Sequence, residues 1–363
     1  MFRRLQSWTG TGFILVAASL LAAPSAVTVV QPVIDRPGSC AYCTVIEQAF
    51  EEASETIDLL LSTAELEENP LWEPLIDAHR RGVAVRLLLD ESDWAPSITA
   101  RNRPTLEMLQ DEGIHARFDD PEVTTHAKLV IVDRRVVVLG STNWNRYAFT
   151  DQEQANVRIV DDRVGDVFGT WFDELWEGRT GVTPQVEVGE AATMPGAAIV
   201  PLPDSGGATA YASALLELLA AAERSVHVVL YRMSVYTGYS DSTANALCDA
   251  LIRAGGRGLD VRVLIDDCRF YSDSATANLS AAIYLHERGV PVRFDDPEET
   301  THAKLVIVDG EHVVVGSTNW NYYALERNVE SNVALLGMPE VAAAYEAFFE
   351  TLWWDGRAIG SEQ

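Results

Sequence analysis

Thr124-Thr125-His126-Ala127-Lys128-Leu129-Val130-Ile131-Val132-Asp133 recurs, residue for residue apart from no position, as Thr300-Thr301-His302-Ala303-Lys304-Leu305-Val306-Ile307-Val308-Asp309. The spacing is 176 residues, and it also carries Arg86-Leu87-Leu88-Leu89-Asp90 onto Arg262-Val263-Leu264-Ile265-Asp266. Phe118-Asp119-Asp120-Pro121-Glu122 maps in the same way onto Phe294-Asp295-Asp296-Pro297-Glu298. So does Gly140-Ser141-Thr142-Asn143-Trp144-Asn145 onto Gly316-Ser317-Thr318-Asn319-Trp320-Asn321. Solenoid repeats run about 20–50 residues, so a period this long marks a duplicated domain.

Each copy alternates short apolar runs with longer amphipathic ones. In the first, the pattern predicts helices over Val45 to Ser54, Leu71 to Arg81 and Thr105 to Glu112. Strands are expected at Ile57 to Ser62, Val83 to Asp90 and Ile114 to Phe118. Ala127 to Val132 and Val136 to Leu139 read as a hairpin through Asp133-Arg134-Arg135, and Asp309-Gly310 is the matching turn of the second copy. Asn156 to Val160 and Asn332 to Leu336 close each unit as strands. The apolar strands lack polar alternation, which predicts a sheet with helices on both faces. The expected fold is therefore α/β, with tandem domains at 38–178 and 208–357. The stretch 179–207, rich in Gly, Pro and Val without period, reads as their linker.

Composition supports a packed core: 47% of the 363 residues are hydrophobic and the mean hydropathy is 0.00. Fibrous, low-complexity and wholly disordered classes are excluded. Acidic residues number 54 against 27 basic, a formal charge of −27 with a pI near 4.5. A basic nucleic-acid or membrane-surface binder leans the other way. Only two of the basic residues are lysines, Lys128 and Lys304. This bias fits either a high-salt habitat or a GC-rich genome.

Residues 1–30 read as a targeting segment. Arg3-Arg4 forms a positive n-region, Phe13 to Ala23 an apolar run, and Ala22-Ala23-Pro24-Ser25-Ala26 a small-residue cleavage region. Pro24 interrupts the run and favours a cleaved signal over an uncleaved anchor. Either reading places the globular part outside the cytoplasm, secreted or extracytoplasmic. Cysteines there can pair. Cys40, Cys43, Cys248 and Cys268 allow two disulfides in three connectivities. No histidine clusters with them, and no metal is expected.

His and Lys stand two apart on one strand in each copy, so their side chains share a face. The turn after the second strand of the hairpin presents Ser and Asn. An imidazole, a fixed cation and neutral donors suit phosphoryl transfer. A chain that otherwise uses arginine has placed both lysines at equivalent positions, where a compact ammonium is wanted.

The pattern His-x-Lys, four residues, Asp, six residues, Gly-Ser-x-Asn resembles the HKD signature of the phospholipase D superfamily. Both copies match it, and the resemblance spans roughly residues 40–355. It implies two similar α/β domains about a pseudo-twofold, with one active site at their interface. It also implies that no metal or cofactor is used, and that a monomer holds both half-sites. By resemblance His126 is the nucleophile that forms a phosphohistidine, and His302 the general acid. Lys128, Lys304, Asn143 and Asn319 match phosphate-binding positions, with Ser141 and Ser317 beside them as substrate-binding residues. Asp133 and Asp309 match the signature Asp, expected to brace the hairpin.

The family also places an acidic residue downstream, against a catalytic imidazole. Glu330 in Asn328-Val329-Glu330-Ser331-Asn332 fits. Gln154 takes that place in Gln152-Glu153-Gln154-Ala155-Asn156, with Glu153 adjacent. A carboxylate favours the protonated imidazole, so the histidine served by Glu330 is expected to have the higher pKa and to suit the acid role. The other should stay neutral, as a nucleophile must. The sequence leaves open which histidine Glu330 serves, and whether Glu153 substitutes for Gln154. His79, His115, His227, His286 and His312 are expected to be surface or core residues. Trp144 and Trp320 are expected to pack in the core rather than wall the pocket.

The expected substrate is a phospholipid met at a membrane surface, giving phosphatidic acid or transfer to an alcohol. The alternatives are an exported nuclease acting on DNA or RNA, and a non-catalytic scaffold that binds anionic lipid.

Overall fold

In the computed structural model, residues 28–93, 95–181, 189–190, 196–207, 209–268 and 271–359 are described. The apolar run and cleavage region read as a targeting segment lie outside them.

The first half runs β1 (Val29–Asp35), α1 (Ala41–Glu52), β2 (Thr56–Leu61), α2 (Trp72–Arg80), β3 (Ala84–Leu89), α3 (Pro96–Asp111) and β4 (His115–Phe118). It continues through β5 (Lys128–Val132), β6 (Val136–Gly140), α4 (Arg146–Thr150), β7 (Gln152–Val160) and α5 (Asp162–Trp176). The second half adds β8 (Gly189–Glu190), β9 (Ala198–Asp204), α6 (Ala210–Ala221), β10 (Ser225–Leu230), α7 (Thr243–Gly256), β11 (Asp260–Ile265) and α8 (Ser272–His286). It ends with β12 (Val292–Phe294), β13 (Thr300–Thr301), β14 (Lys304–Val308), β15 (His312–Gly316), α9 (Tyr322–Glu326), β16 (Glu330–Leu336), α10 (Pro339–Asp355) and β17 (Arg357–Ala358).

The first sheet has the order β1-β7-β6-β5-β2-β3-β4, and the second β17-β12-β11-β10-β14-β15-β16-β9-β8. In each, a parallel trio (β2-β3-β4 or β10-β11-β12) adjoins the antiparallel HKD hairpin. The absence of polar alternation has a direct cause. Leu129 and Ile131 face a central apolar layer, while Val130 and Val132 face the outer helices. Leu305 and Ile307 repeat the first arrangement, and Val306 and Val308 the second.

That central layer joins the two halves. Phe168, Trp171 and Phe172 of α5 pack with Tyr345, Phe348 and Phe349 of α10 between the sheets. Truncating one such aromatic to Ala costs about 3–5 kcal/mol. The Tyr345 hydroxyl donates across the interface to the Asn156 carbonyl at 2.6 Å, which fixes α10 against β7 close to the acidic-residue strand.

Three boundaries differ from the sequence reading. β1 lies ahead of residue 38 and pairs along its length with β7, so the first unit begins within the segment assigned to targeting and its flank. β9 lies inside the stretch read as linker and pairs with β16. Pro201 and Pro203, which carry no N–H, hid it. Helix α3 starts at Pro96, with Pro104 inside it. Of the two disulfides the cysteines allowed, one is present, Cys40–Cys43. Cys248 and Cys268 are buried and unbonded. No helix among the described residues is long and apolar enough to cross a membrane.

Candidate active site

Each histidine segment crosses to the other half. Thr300–Thr301 pairs in parallel with Gln152–Glu153 of β7, and the His302 N–H donates to the Glu153 carbonyl at 2.9 Å. Reciprocally, Thr125 bridges to Val329, and the His126 N–H donates to the Val329 carbonyl at 2.9 Å. The strand that follows each Gly-Ser-x-Asn turn therefore carries its acidic or amide residue to the opposite histidine.

Glu330 meets His126. Its two oxygens lie 3.1 and 3.0 Å from Nδ1, and its side chain is fully buried. Gln154 meets His302, with Oε1 at 3.3 Å from Nδ1 and the Ser141 carbonyl at 3.0 Å. With both Nδ1–H groups engaged by oxygen, each neutral ring keeps Nε2 for chemistry. Glu153 does not reach the site: its carboxylate accepts from Arg36 Nε at 3.0 Å. Burial pushes that carboxyl up to about 7.

The serines are engaged within the protein. Ser317 Oγ donates to Glu330 at 2.5 Å and accepts from the Ser331 N–H at 2.9 Å. Ser141 Oγ donates to Gln154 at 2.6 Å and accepts from the Ala155 N–H at 3.0 Å. Both are fully buried. The motif groups them with substrate binding; here both hydroxyls are engaged by Gln154 and Glu330, the residues that meet the imidazoles. Glycine precedes each because the turn passes so close to the neighbouring strand. A Cβ on Gly316 would lie 2.2 Å from Asn332 Oδ1, and one on Gly140 2.4 Å from Asn156 Oδ1. Asn156 Oδ1 accepts from the Ser141 and Thr142 N–H groups at 3.1 and 3.2 Å. Asn332 holds the Thr318 N–H at 3.2 Å.

Lys128 and Lys304 are 1% and 2% exposed. Each ammonium donates to the carbonyl of the histidine two residues before it. Burial pushes Lys128 down to about 7, against the attraction of Glu330 and Asp90. Burial and then Lys128 hold Lys304 well below its ordinary value. His126 is lowered by burial, with Glu330 opposing. His302 is lowered further, by burial and by the charges of Lys304, Lys128 and His126. The site is thus short of negative charge, the condition a phosphodiester anion relieves. Asn143 and Asn319 each leave a buried Oδ1 without a partner, hydrogen-bonding capacity that the fold does not use.

The signature aspartates brace the hairpins. Asp133 accepts the N–H groups of Ser54, Glu55 and Thr56 at 2.9, 2.8 and 2.8 Å. Asp309 does the same for Glu223, Arg224 and Ser225 at 2.9, 2.6 and 3.0 Å. Trp144 and Trp320 are core residues whose Nε1–H groups donate to Tyr42 and Tyr211 hydroxyls at 2.9 and 3.0 Å. Among the described residues no group of three or more His, Cys, Asp or Glu side chains is arranged to hold a metal ion.

Residues that the sequence reading missed include Asn102 and Asn278, fully buried at equivalent positions. Asn278 Nδ2 donates to the Tyr231 and Asp266 carbonyls at 2.8 Å each, tying strand ends together beneath His302. Tyr231 itself stands 4.8 Å, ring to ring, from His302. The signal for the asparagines was present: a polar residue repeated at the 176-residue spacing.

The family model described as cardiolipin synthase, phospholipase D-like domain matches residues 46–176 and 215–353. The chain belongs to the phospholipase D superfamily. Mitochondrial cardiolipin hydrolase of Xenopus tropicalis is 33% identical over 153 residues, covering 42% of this chain and 64% of that protein. Cardiolipin synthase A of Escherichia fergusonii is 24% identical over 292 residues, 72% of this chain and 57% of its own length. This chain thus spans 64% and 57% of the two relatives' lengths, less than two thirds of either. Phosphatidylserine synthase of Haemophilus influenzae shares the fold, with a TM-score of 0.69 over 90% of this chain and 87% of that one, at 13% identity.

Proposed function

We propose that this enzyme cleaves phospholipid diesters by double displacement, with His126 as nucleophile and His302 as general acid. The observation that carries the reading is the crossed pair Glu330–His126 and Gln154–His302. His126 Nε2 attacks phosphorus, and the bond to the leaving alkoxide breaks as His302 Nε2 gives up its proton. Water then attacks the phosphohistidine while His302 takes a proton from it, and the N–P bond breaks. A second alcohol in place of water gives transfer. The phosphohistidine ring is cationic, and the buried Glu330 carboxylate stabilises it. His302, without a carboxylate, is the stronger acid once the substrate's anion has offset the lysine charges.

The cardiolipin-directed relatives favour a lipid over a nucleic acid. The N-terminal pattern supports action outside the cytoplasm, and one chain carrying both half-sites supports a monomer. The test uses bis(p-nitrophenyl) phosphate, whose leaving group needs no acid. His302→Ala should give a burst and a trapped phosphohistidine on residue 126, whereas His126→Ala should give neither. The opposite pattern exchanges the roles. Cardiolipin vesicles, phosphatidylcholine vesicles and single-stranded DNA at matched salt then test the substrate. Cleavage of DNA alone would overturn the lipid reading.

A further inference from the structure

The repeat carries two aspartates per half to which the steps above give no role. Asp90 and Asp266 follow β3 and β11, and Asp119 and Asp295 follow β4 and β12. In the second half the pair converges on one donor. The Thr301 N–H, adjacent to His302, donates to Asp266 Oδ2 at 2.7 Å and to Asp295 Oδ2 at 3.0 Å. The remaining oxygens hold the neighbouring loop, Asp266 Oδ1 through the Cys268 N–H at 2.6 Å and Asp295 Oδ1 through the Asp267 N–H at 2.7 Å. Both side chains belong to residues only 2% exposed. Two carboxyl groups crowded about one N–H, away from water, cannot both be ionised cheaply.

The first half keeps only part of this arrangement, since Asp119 Oδ2 is buried without a partner. The Thr125 N–H, adjacent to His126, donates to Asp90 Oδ1 at 2.6 Å, and the Glu91 N–H to Asp119 Oδ1 at 2.8 Å. Ser92 Oγ donates to Asp90 Oδ2 at 2.6 Å.

We propose that Asp266 and Asp295 are positioning residues which share one proton, and that the resulting monoanion clamps Thr301 and so fixes His302. Thr301 is held from one side by this pair and from the other by β7 through its pairing with Glu153. The histidine backbone is thus set between an acid pair of its own half and a strand of the other. Burial and the Asp266 charge push Asp295 up to about 9, and burial raises Asp266. Burial pushes Asp90 up to about 6 and Asp119 to about 7.

The groups that face the second pair come from four places. Lys304 approaches from β14, and Tyr231 from the end of β10. Cys268, Tyr271 and Asp267 stand beside it in the connection to α8, with Asp267 paired to Arg357. Glu299 flanks it from the connection between β12 and β13. Lys304 is the cation that acts on Asp266, and a bound phosphodiester competes for it. Loss of the shared proton would leave two adjacent anions, breaking the clamp.

Asp295→Asn separates this from a plain structural role, because the amide keeps an acceptor for the Asp267 N–H and supplies a permanent donor toward Asp266. On the chromogenic diester, wild-type kcat should fall above about pH 9, and Asp295→Asn should move that limb upward by a pH unit or more. Asp295→Ala should lose kcat at every pH by ten-fold or more, with KM less affected. A second readout needs no turnover. A carboxyl whose pKa is raised in the folded state binds more protons folded than unfolded between the two pKa values, so its contribution to stability declines as pH rises through that window. The wild-type Tm should therefore drop more between pH 5 and pH 9 than that of Asp295→Asn. Superimposable profiles for wild type and Asp295→Asn, in both rate and Tm, would overturn the proposal. The lipid assignment is not engaged by either readout.

Discussion

Glu330 and His126 come from opposite halves of the chain, and both carboxylate oxygens lie within 3.1 Å of the same Nδ1. His302 has an amide in that place. Two expectations from the sequence fall on this one histidine: the partner of Glu330 as general acid, and His126 as nucleophile. They are incompatible. A carboxylate at Nδ1 raises the basicity of Nε2 and stabilises the cationic phosphoimidazole, so it serves a covalent role as well as an acidic one. The nucleophile assignment also leaves the acid role to His302, the more strongly lowered of the two histidines and hence the better donor when protonated.

Glu330→Gln should cost on the order of 10²-fold in kcat. It also removes the group that opposes burial at His126, so that pKa falls further. A nucleophile works unprotonated, so the acidic limb of kcat/KM should move to lower pH while the plateau drops. An acidic limb that stayed in place would place the essential base elsewhere.

Gln154→Glu should act on the other limb. A new carboxylate beside His302 favours its protonated form. As the general acid, His302 would then stay protonated to higher pH, and on a phospholipid, whose leaving alkoxide needs the acid, the alkaline limb should move to higher pH. If the acidic limb rose instead, His302 would be the residue that must be neutral, and the roles would be exchanged.

Much of this was legible in the sequence, and for identifiable reasons. The His-x-Lys strands announced themselves because they are both duplicated and apolar around two polar residues. The crossing was not legible, because a strand pairing between halves depends on which edge each sheet presents to the other. The partners of Ser141 and Ser317 were not legible for a related reason. Their motif positions say only that they lie near the phosphate, while their hydroxyl directions follow from the register of β6 on β7 and of β15 on β16. β9 escaped notice because Pro201 and Pro203 carry a linker composition into a strand.

Ser317→Ala tests whether that serine holds Glu330 or the substrate. It removes a buried hydrogen bond to a charged carboxylate, worth roughly 1.5–3 kcal/mol, and frees Glu330 to leave His126. The effect should appear as a roughly 10- to 100-fold loss in kcat with KM nearly unchanged. A rise in KM with kcat preserved would return the serine to the substrate.

Lys128 supplies a test that needs no turnover. Burial places its pKa at about 7 in the free enzyme, so at pH 8 most molecules carry a neutral amine. A bound diester brings the missing negative charge and favours the ammonium, which raises the pKa. Binding at pH 8 should therefore take up a proton at Lys128, whereas at pH 6 that lysine is already charged and takes up almost none. Titration calorimetry of a non-hydrolysable phosphonate diester, in buffers of different ionisation enthalpy, measures the uptake. Lys304 adds its own share, so the reading is the difference between wild type and Lys128→Met. That difference should approach one proton at pH 8 and vanish toward pH 6. An equal uptake in both proteins at pH 8 would mean that Lys128 is charged before substrate arrives, and that the buried carbonyl of His126 together with Glu330 suffices to hold it so.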